Sequence, residues 1–362
     1  MKHNIFEIIT HFELGGAETV AKNIALSKSN RFQYHLVAVA NTHSDYSRNF
    51  INNMESQGVI CHKPAWSNNK LSIILFPFYF VSLYLKYRPS VIHSHTETPD
   101  LSLYIFSCLF GWLSGWKRVK IVRTIHNTKL WSDWEWIGRR VEKFFIKRKA
   151  NISISKAVEA NYKKVYGEDT PIIYNGIEEQ AQKPFEKIVP GKINILFAGR
   201  FEPQKGIDEL VAVLRHYKKD SRFFFHVVGS GSMQQKVEET IGEMDNAQLY
   251  DRIYNLPVYY GSFDYLFMPS NFEGLPLTCV EASFARTPTI INGSCPGLNE
   301  TLPKDWKLQV KHNNVTDFIS IFNGLVGMNN AELSEEAYSF VKQRFSLKSM
   351  QEAYEKLYDP SN

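Results

Sequence analysis

The chain has 362 residues, 44% of them hydrophobic, which is enough for a sizeable core, and its length favours two domains over one. Cys61, Cys108, Cys279 and Cys295 form no close pair and lie near no His at metal-ligand spacing, which excludes a disulfide framework and predicts reduced thiols. The net charge of +5 conceals an asymmetry: through Asp169 the chain carries 23 Lys and Arg against 13 Asp and Glu, and the remainder carries 19 against 24. No nucleic-acid module occurs in the basic half, and its cations are interleaved with Trp, Phe and Tyr. The partner expected is therefore an anionic membrane surface or a lipid-linked phosphate, and no nucleic acid.

The chain opens MKHNIFEIITHFELGG, which enters a strand-like run at once and argues against a cleaved signal peptide; a cytoplasmic protein is expected. Short β-rich runs follow at 4–10, 34–40, 90–95, 119–125, 151–155 and 171–175, with helix-like stretches between most of them. Such runs predict a parallel sheet covered on both faces. Two apolar stretches, Leu71–Leu85 and Leu101–Leu113, fall short of the roughly 18 to 20 residues that span a bilayer, and Pro77 interrupts the first. They read as buried helices, with an interfacial segment as the alternative. The stretch 128–150 concentrates Trp131, Trp134 and Trp136 with Arg139, Arg140, Lys143, Lys147, Arg148 and Lys149. It reads as a basic helix suited to the inner face of the cytoplasmic membrane, or as an ordinary amphipathic helix.

Residues 178–191, polar and holding two prolines, have the composition of a linker between a domain at 1–177 and one at 192–345. The second domain repeats the alternation, with strand-like runs at 194–199, 223–229, 265–270 and 288–292. A last helix, at about 346–362, has Ser346 as a plausible N-cap and Met350, Tyr354 and Leu357 on one face.

In parallel α/β domains ligands gather beyond the carboxyl ends of the strands, and three motifs lie there. ELGGAE follows the first strand, and its Gly15 and Gly16 let backbone N–H groups approach a ligand before a helix begins; a plain tight turn is the other reading. GRFEPQKG follows the first strand of the second domain, where Arg200 and Lys205 can hold a diphosphate between a forked and a point-charge donor. NFEGLPLTCVE follows the strand at 265–270: Glu273 stands on the loop and Glu281 inside the ensuing helix, with the backbone of Gly274, Leu275, Pro276, Leu277 and Thr278 at its N-terminus.

Taken together, ELGGAE, VIHSH, RTIHNT, IIYNGI, GRFEPQKG, VVGSGSM and EGLPLTCVE, in that order, resemble the retaining glycosyltransferases of family 4, and the resemblance covers nearly the whole chain. It implies an α/β protein of the GT-B fold, two Rossmann-like parallel-sheet domains facing each other across a cleft, with the C-terminal helix returning to the N-terminal, acceptor-binding domain. It further implies a hexosyltransferase-type enzyme that needs no cofactor or metal. Arg200 and Lys205 would hold the donor's diphosphate, with Gly15 and Gly16 facing it. Glu273 would contact the sugar hydroxyls, Glu281 the ribose, and His126 would lie beside the sugar; a core histidine is the other reading of His126. Leu275 stands where Phe is frequent, and the segment 244–265 is short, so the nucleotide stays open between UDP, the first choice, and GDP or another nucleotide. A glycan or lipid-linked acceptor of bacterial capsule or O-antigen assembly is expected. A nucleotide-sugar 2-epimerase and a non-catalytic sugar-nucleotide-binding homologue remain as alternatives; a dinucleotide oxidoreductase would need a G-x-G-x-x-G that ELGGAE does not supply.

Overall fold

A computed structural model of the protein describes residues 2–13, 15–127, 129–131 and 134–359. Leu14 of ELGGAE, Thr128, Ser132 and Asp133 of the basic aromatic stretch, and residues 360–362 of the last helix's expected span lie outside the described residues. The chain divides into two compact units, the first made of Met1–Gly176 and Leu347–Asn362, the second of Ile177–Ser346.

The first unit alternates strands and helices: β1 (His3–Ile9), α1 (Gly16–Ala25), β2 (Phe32–Ala38), α2 (Asp45–Ser56), β3 (Ile60–His62), α3 (Asn69–Tyr87), β4 (Val91–His95), α4 (Glu97–Phe110), β5 (Lys120–Ile125), α5 (Glu135–Lys147), β6 (Asn151–Ser153) and α6 (Lys156–Tyr166). Its six strands run parallel in the order β3-β2-β1-β4-β5-β6. The second unit continues with β7 (Ile193–Ala198), α7 (Ile207–His216), β8 (Phe223–Val228), α8 (Gln234–Ile241), β9 (Ala247–Tyr250), β10 (Tyr265–Met268), α9 (Leu277–Phe284), β11 (Thr289–Asn292), α10 (Pro296–Asn299), β12 (Gln309–Val310), α11 (Val315–Leu325) and α12 (Ala331–Arg344). Its sheet, β12-β11-β10-β7-β8-β9, is parallel too and repeats the first unit's order strand for strand. In each sheet the order reverses at one place, between β1 and β4 and between β7 and β10, the position where open α/β sheets bind ligands.

Apolar residues on both faces of the central strands make this architecture. Ile5 and Ile9 face a core closed by α1, α2 and the last helix, α13 (Leu347–Tyr358), whereas Phe6 and Ile8 face one closed by α3, α4 and α5. Met350, Tyr354 and Tyr358 bring α13 into the first of these cores, so the chain's last helix completes the unit its first strand began.

Several sequence expectations need correction. Residues 178–191 are no free linker: Lys183 N–H donates to the Val258 carbonyl at 2.7 Å, Gly261 N–H to Gln182 Oε1 at 2.9 Å, and the Phe185 ring packs on His226, Tyr250 and Phe263. The segment belongs to the second unit, because one phenylalanine side chain and its backbone give it a docking point. The run at 171–175 makes a single bridge, Ser153 to Ile172, and no strand. Pro77 does not interrupt its helix: α3 runs through it for 19 residues. By length and composition Lys70–Tyr87 could cross a membrane, but Phe76, Phe80, Leu83 and Tyr84 pack into the core, which makes α3 a covering helix of the sheet. Trp131 is buried and donates Nε1–H to Glu142 Oε1 at 2.7 Å, so it is a core residue and no membrane anchor.

Candidate functional site

In the second unit the two motif loops meet at the reversal of strand order. Residues 199–206 leave the end of β7 and residues 269–276 leave the end of β10, and three hydrogen bonds join them: Asn271 N–H to the Gln204 carbonyl at 2.8 Å, Asn271 Nδ2 to the Pro203 carbonyl at 2.8 Å, and Gln204 Nε2 to the Phe272 carbonyl at 3.1 Å. Gly206 permits this approach. It adopts φ +70°, and a Cβ there would stand 2.0 Å from the Pro269 carbonyl oxygen, so any other residue would push the loops apart. A similar contact joins β8: a Cβ on Gly229 would meet the Gly199 oxygen at 1.9 Å.

Across this junction Lys205 Nζ donates to Glu273 Oε1 at 2.6 Å, with the Lys 18% and the Glu 8% exposed. A pair so desolvated holds both side chains in place. Arg200 is exposed, reaches Gln204 Oε1 at 3.5 Å, and forms no ion pair among the described residues. α9 begins at Leu277 behind Pro276, which supplies no side-chain cap, so the helix presents N–H groups and the positive end of its dipole beside Lys205 and Glu273. Glu281 stands in the second turn of α9, half-buried, and its carboxylate has no hydrogen-bond partner among the described residues. Burial pushes its pKa up to about 7. Glu273 and Glu281 thus differ in surroundings: one is clamped by a lysine, and the other lacks a partner and has the Tyr260 phenol as a neighbour. The arrangement offers cations and N–H groups for a diphosphate, and a carboxylate awaiting hydroxyl donors.

The remaining predicted residues belong to the first unit. Gly15 is the extended N-cap of α1 and Gly16 its first residue; the helix has no side-chain cap, and the Glu18 carboxyl fills the space above Gly15. His126 follows β5, half-buried, and is the outer end of a network that sequence reasoning missed. β1 and β4 pair Glu7 with His93, and period-two alternation turns His93 and His95 to one face. Glu7 Oε2 lies 2.8 Å from His95 Nε2 and 2.9 Å from His93 Nδ1, and Tyr358 donates its hydroxyl to Glu7 Oε1 at 2.9 Å. His93 Nε2 lies 2.7 Å from Thr124 Oγ1, which lies 2.8 Å from the Tyr354 hydroxyl. Burial would raise the Glu7 pKa, yet the charge and hydrogen bond of His93, then those of His95, hold it at about 2. Burial lowers His95 to about 4, so at neutral pH it is uncharged.

This fixes the protons. Neutral His95 gives its Nε2–H to the Glu7 carboxylate, so its Nδ1 is an acceptor, and His126 Nε2, 3.2 Å away, must donate to it. Burial, reinforced by His95, His93 and Arg123, holds His126 well below the usual histidine range. His126 is therefore neutral and offers Nδ1 as a hydrogen-bond acceptor. Glu7, His93 and His95 also place three metal-ligand atoms within 4.8 Å of one another, but those atoms already satisfy each other, Tyr358 and Thr124. The missed signal was an E inside NIFEII and the H-x-H of VIHSH, polar residues where a central strand should be apolar.

Comparison with known proteins agrees with both halves. The model of Glycosyltransferase Family 4 matches residues 14–181, and that of Glycosyl transferases group 1 matches residues 178–339. The chain is similar to a 41.2 kDa protein in the cps region of Klebsiella pneumoniae, 28% identical over 77% of this chain and 78% of that one. It is also similar to the capsular polysaccharide biosynthesis glycosyltransferase CapH of Staphylococcus aureus, 23% identical over the same shares. Among solved structures, HepE of Anabaena in complex with UDP and glucose superposes with a TM-score of 0.77 at 17% identity, covering 98% of this chain and 99% of that one, which shows the GT-B fold.

Proposed function

The chain belongs to the group 1 glycosyltransferases of the GT-B fold, and from that premise we propose that it moves a sugar from a UDP-sugar to a lipid-linked glycan acceptor in bacterial surface polysaccharide assembly. The observation that carries the donor half is the Lys205–Glu273 pair fixed beside Arg200 and the uncapped N-terminus of α9. Breaking a sugar–diphosphate bond places negative charge on the leaving group and positive charge on the ring. Preorganised cations and N–H dipoles at the diphosphate therefore supply most of the acceleration. In this reading Arg200 and Lys205 do the work that a metal ion does in other transferases, Glu273 holds sugar hydroxyls, and Glu281 receives the ribose hydroxyls its empty carboxylate lacks.

In the first unit, His126 Nδ1 is offered as an acceptor for a sugar hydroxyl, and the N–H groups at Gly15 and Gly16 as donors to an anion. Transfer proceeds with retention, by attack from the face the leaving group departs, and the departing phosphate takes the acceptor's proton. UDP as the donor's nucleotide is supported by the likeness to HepE, whose structure holds UDP, and surface polysaccharide by the similarity to CapH.

A thermal-shift screen against UDP, GDP, ADP and CMP sugars, followed by incubation of the stabilising donor, radiolabelled, with a lipid extract, tests the proposal. Stabilisation by a UDP-sugar and label moving into the lipid fraction is the expected result. Epimer formation, or binding without turnover, would overturn it.

A further inference from the structure

The first unit exposes an apolar ridge that its own core does not use. α3 turns one side to the sheet, and on the other Leu71, Ile74, Phe78 and Leu85 are 48%, 60%, 59% and 55% exposed. Their spacing of three, four and seven puts them on a single stripe about 21 Å long. The stripe widens onto α4, where Phe78 meets Phe110 edge-on at 5.6 Å between ring centroids, and Leu109 and Trp112 are 46% and 78% exposed beyond it. Isolated exposed apolar side chains are ordinary; six on α3, the end of α4 and the turn after it form a patch that calls for a partner.

Charge identifies that partner. The sequence contains no Asp or Glu between Glu55 and Glu97, nor between Asp100 and Asp133, while those intervals hold four and five Lys or Arg. Where Leu85 ends the stripe, a cavity of about 620 Å³ opens with Arg88, Arg118 and Lys120 in its wall and no carboxylate. None of these three side chains has an ion-pair or hydrogen-bond partner among the described residues. A second copy of the chain on the ridge would set this basic rim against itself about a two-fold axis, which is unfavourable. An anionic bilayer neutralises it and covers the apolar stripe at once.

We propose that α3 and the end of α4 lie flat on an anionic lipid bilayer, the apolar stripe entering the boundary of the acyl region and the cavity of Arg88, Arg118 and Lys120 taking lipid phosphate. This deepens the reading of a lipid-linked acceptor, on which it rests, and moves the membrane contact away from 128–150. There Trp131 is core, Trp136 lies under Arg140 at 5.5 Å, and α5 starts with Glu135. Because α3 follows β3 and returns to the start of β4, its Leu71 end lies at the carboxyl ends of the first unit's strands, the end from which the His126 loop departs. The apolar stripe thus reaches from the phosphate cavity at the amino ends of the strands to the carboxyl-end edge where acceptor chemistry is expected.

Cosedimentation of the full chain with vesicles of phosphatidylcholine plus phosphatidylglycerol, against phosphatidylcholine alone, tests the proposal. The native chain should bind the anionic vesicles and not the neutral ones. A triple variant, Ile74→Ser with Phe78→Ser and Trp112→Ser, should weaken binding about tenfold or more. Arg88→Gln with Arg118→Gln should weaken it about fivefold or more, and Arg139→Ser with Arg140→Ser and Lys143→Ser by about twofold or less. Circular dichroism and thermal melting identify any variant that fails to fold, and the double Arg variant, which touches no apolar contact, keeps the proposal testable in that event. Absence of native binding, a folded ridge variant that binds normally, or loss of binding in the 139–143 variant would overturn it, as would a lipid-free dimer that the ridge variant abolishes. Vesicle binding with no turnover of any nucleotide sugar would remove the transferase reading and leave this surface standing.

Discussion

The first unit buries Glu7, His93, His95, Asp100, Arg123 and Glu142 between its sheet and helices, whereas in the second, with the same strand order, the buried polar groups among the described residues are neutral except Glu273, which follows a strand end. There Asn194 bonds His226, lowered by burial to about 4, and the charged groups Arg200, Lys205 and Glu273 stand at strand ends. One topology thus accommodates two placements of charge. Inside the first unit, Arg123 binds Asp100 and Glu142 at 2.7 Å each and ties β5 to α4 and α5, while the Glu7 network holds His126 in one tautomer. In the second, the charged groups are left to meet a ligand. Buried charge here orients; charge at the strand ends binds.

Removing Arg123 is the most severe way to break this contrast. Arg123→Met leaves Asp100 and Glu142 buried without their cation and should cost about 3 to 5 kcal/mol in chemical denaturation of the first unit. Lys218→Met, which opens an exposed pair with Glu243 in the second unit, should cost about 0.5 kcal/mol or less. Equal costs would show that burial makes no difference. Next, Arg200→Ala or Lys205→Ala should lower turnover about 100-fold, the loss of one donor to a developing charge. Near-normal steady-state rates in both would remove the diphosphate assignment.

Glu281→Ala should weaken UDP binding by about 1.5 to 3 kcal/mol in calorimetry, the value of a charged hydrogen bond to ribose; an unchanged affinity would count against that role. The smallest effect is one of pH. With Glu281 at about 7 in the fold against an ordinary 4.5, the folded protein holds that proton more tightly, so stability falls as pH rises through this interval. Glu281→Gln should therefore stabilise the free protein by about 1 kcal/mol or more at pH 8 and leave it unchanged at pH 4. A gain at pH 4 instead would show that the carboxylate is not desolvated.

What could be read from the sequence follows burial. The strands near the middle of each sheet, β1, β4 and β5, then β7, β8 and β10, are buried on both faces and were visible as short β-rich runs. The edge strands β3, β9 and β12 were not, since ICH, AQLY and QV are short and half-exposed and satisfy neighbours on one side only. The donor half of the site was legible because Arg200, Lys205 and Glu273 each follow a strand directly, and strand order alone brings those ends together. The Glu7 network was not, since its members come from β1, β4, β5 and α13: the polar residues of NIFEII and VIHSH are a local signal, but their pairing across up to 351 positions is not. The outer face of α3 was not visible for a different reason: the sequence reads as a buried helix, with an interfacial segment as the alternative, and its mostly apolar composition could not say which side meets the core.

The position of α13 has a consequence for how the protein is made. Tyr354 and Tyr358 close a core begun by β1, but they leave the ribosome only after all of the second unit has been synthesised. Until then the Glu7 carboxylate lacks a buried hydroxyl, and the core that α1 and α2 cover stays open where α13 belongs. The second unit, continuous in the chain from Ile177 to Ser346, has every contact it needs earlier. The half whose first strand is made first therefore has its core completed by the last helix.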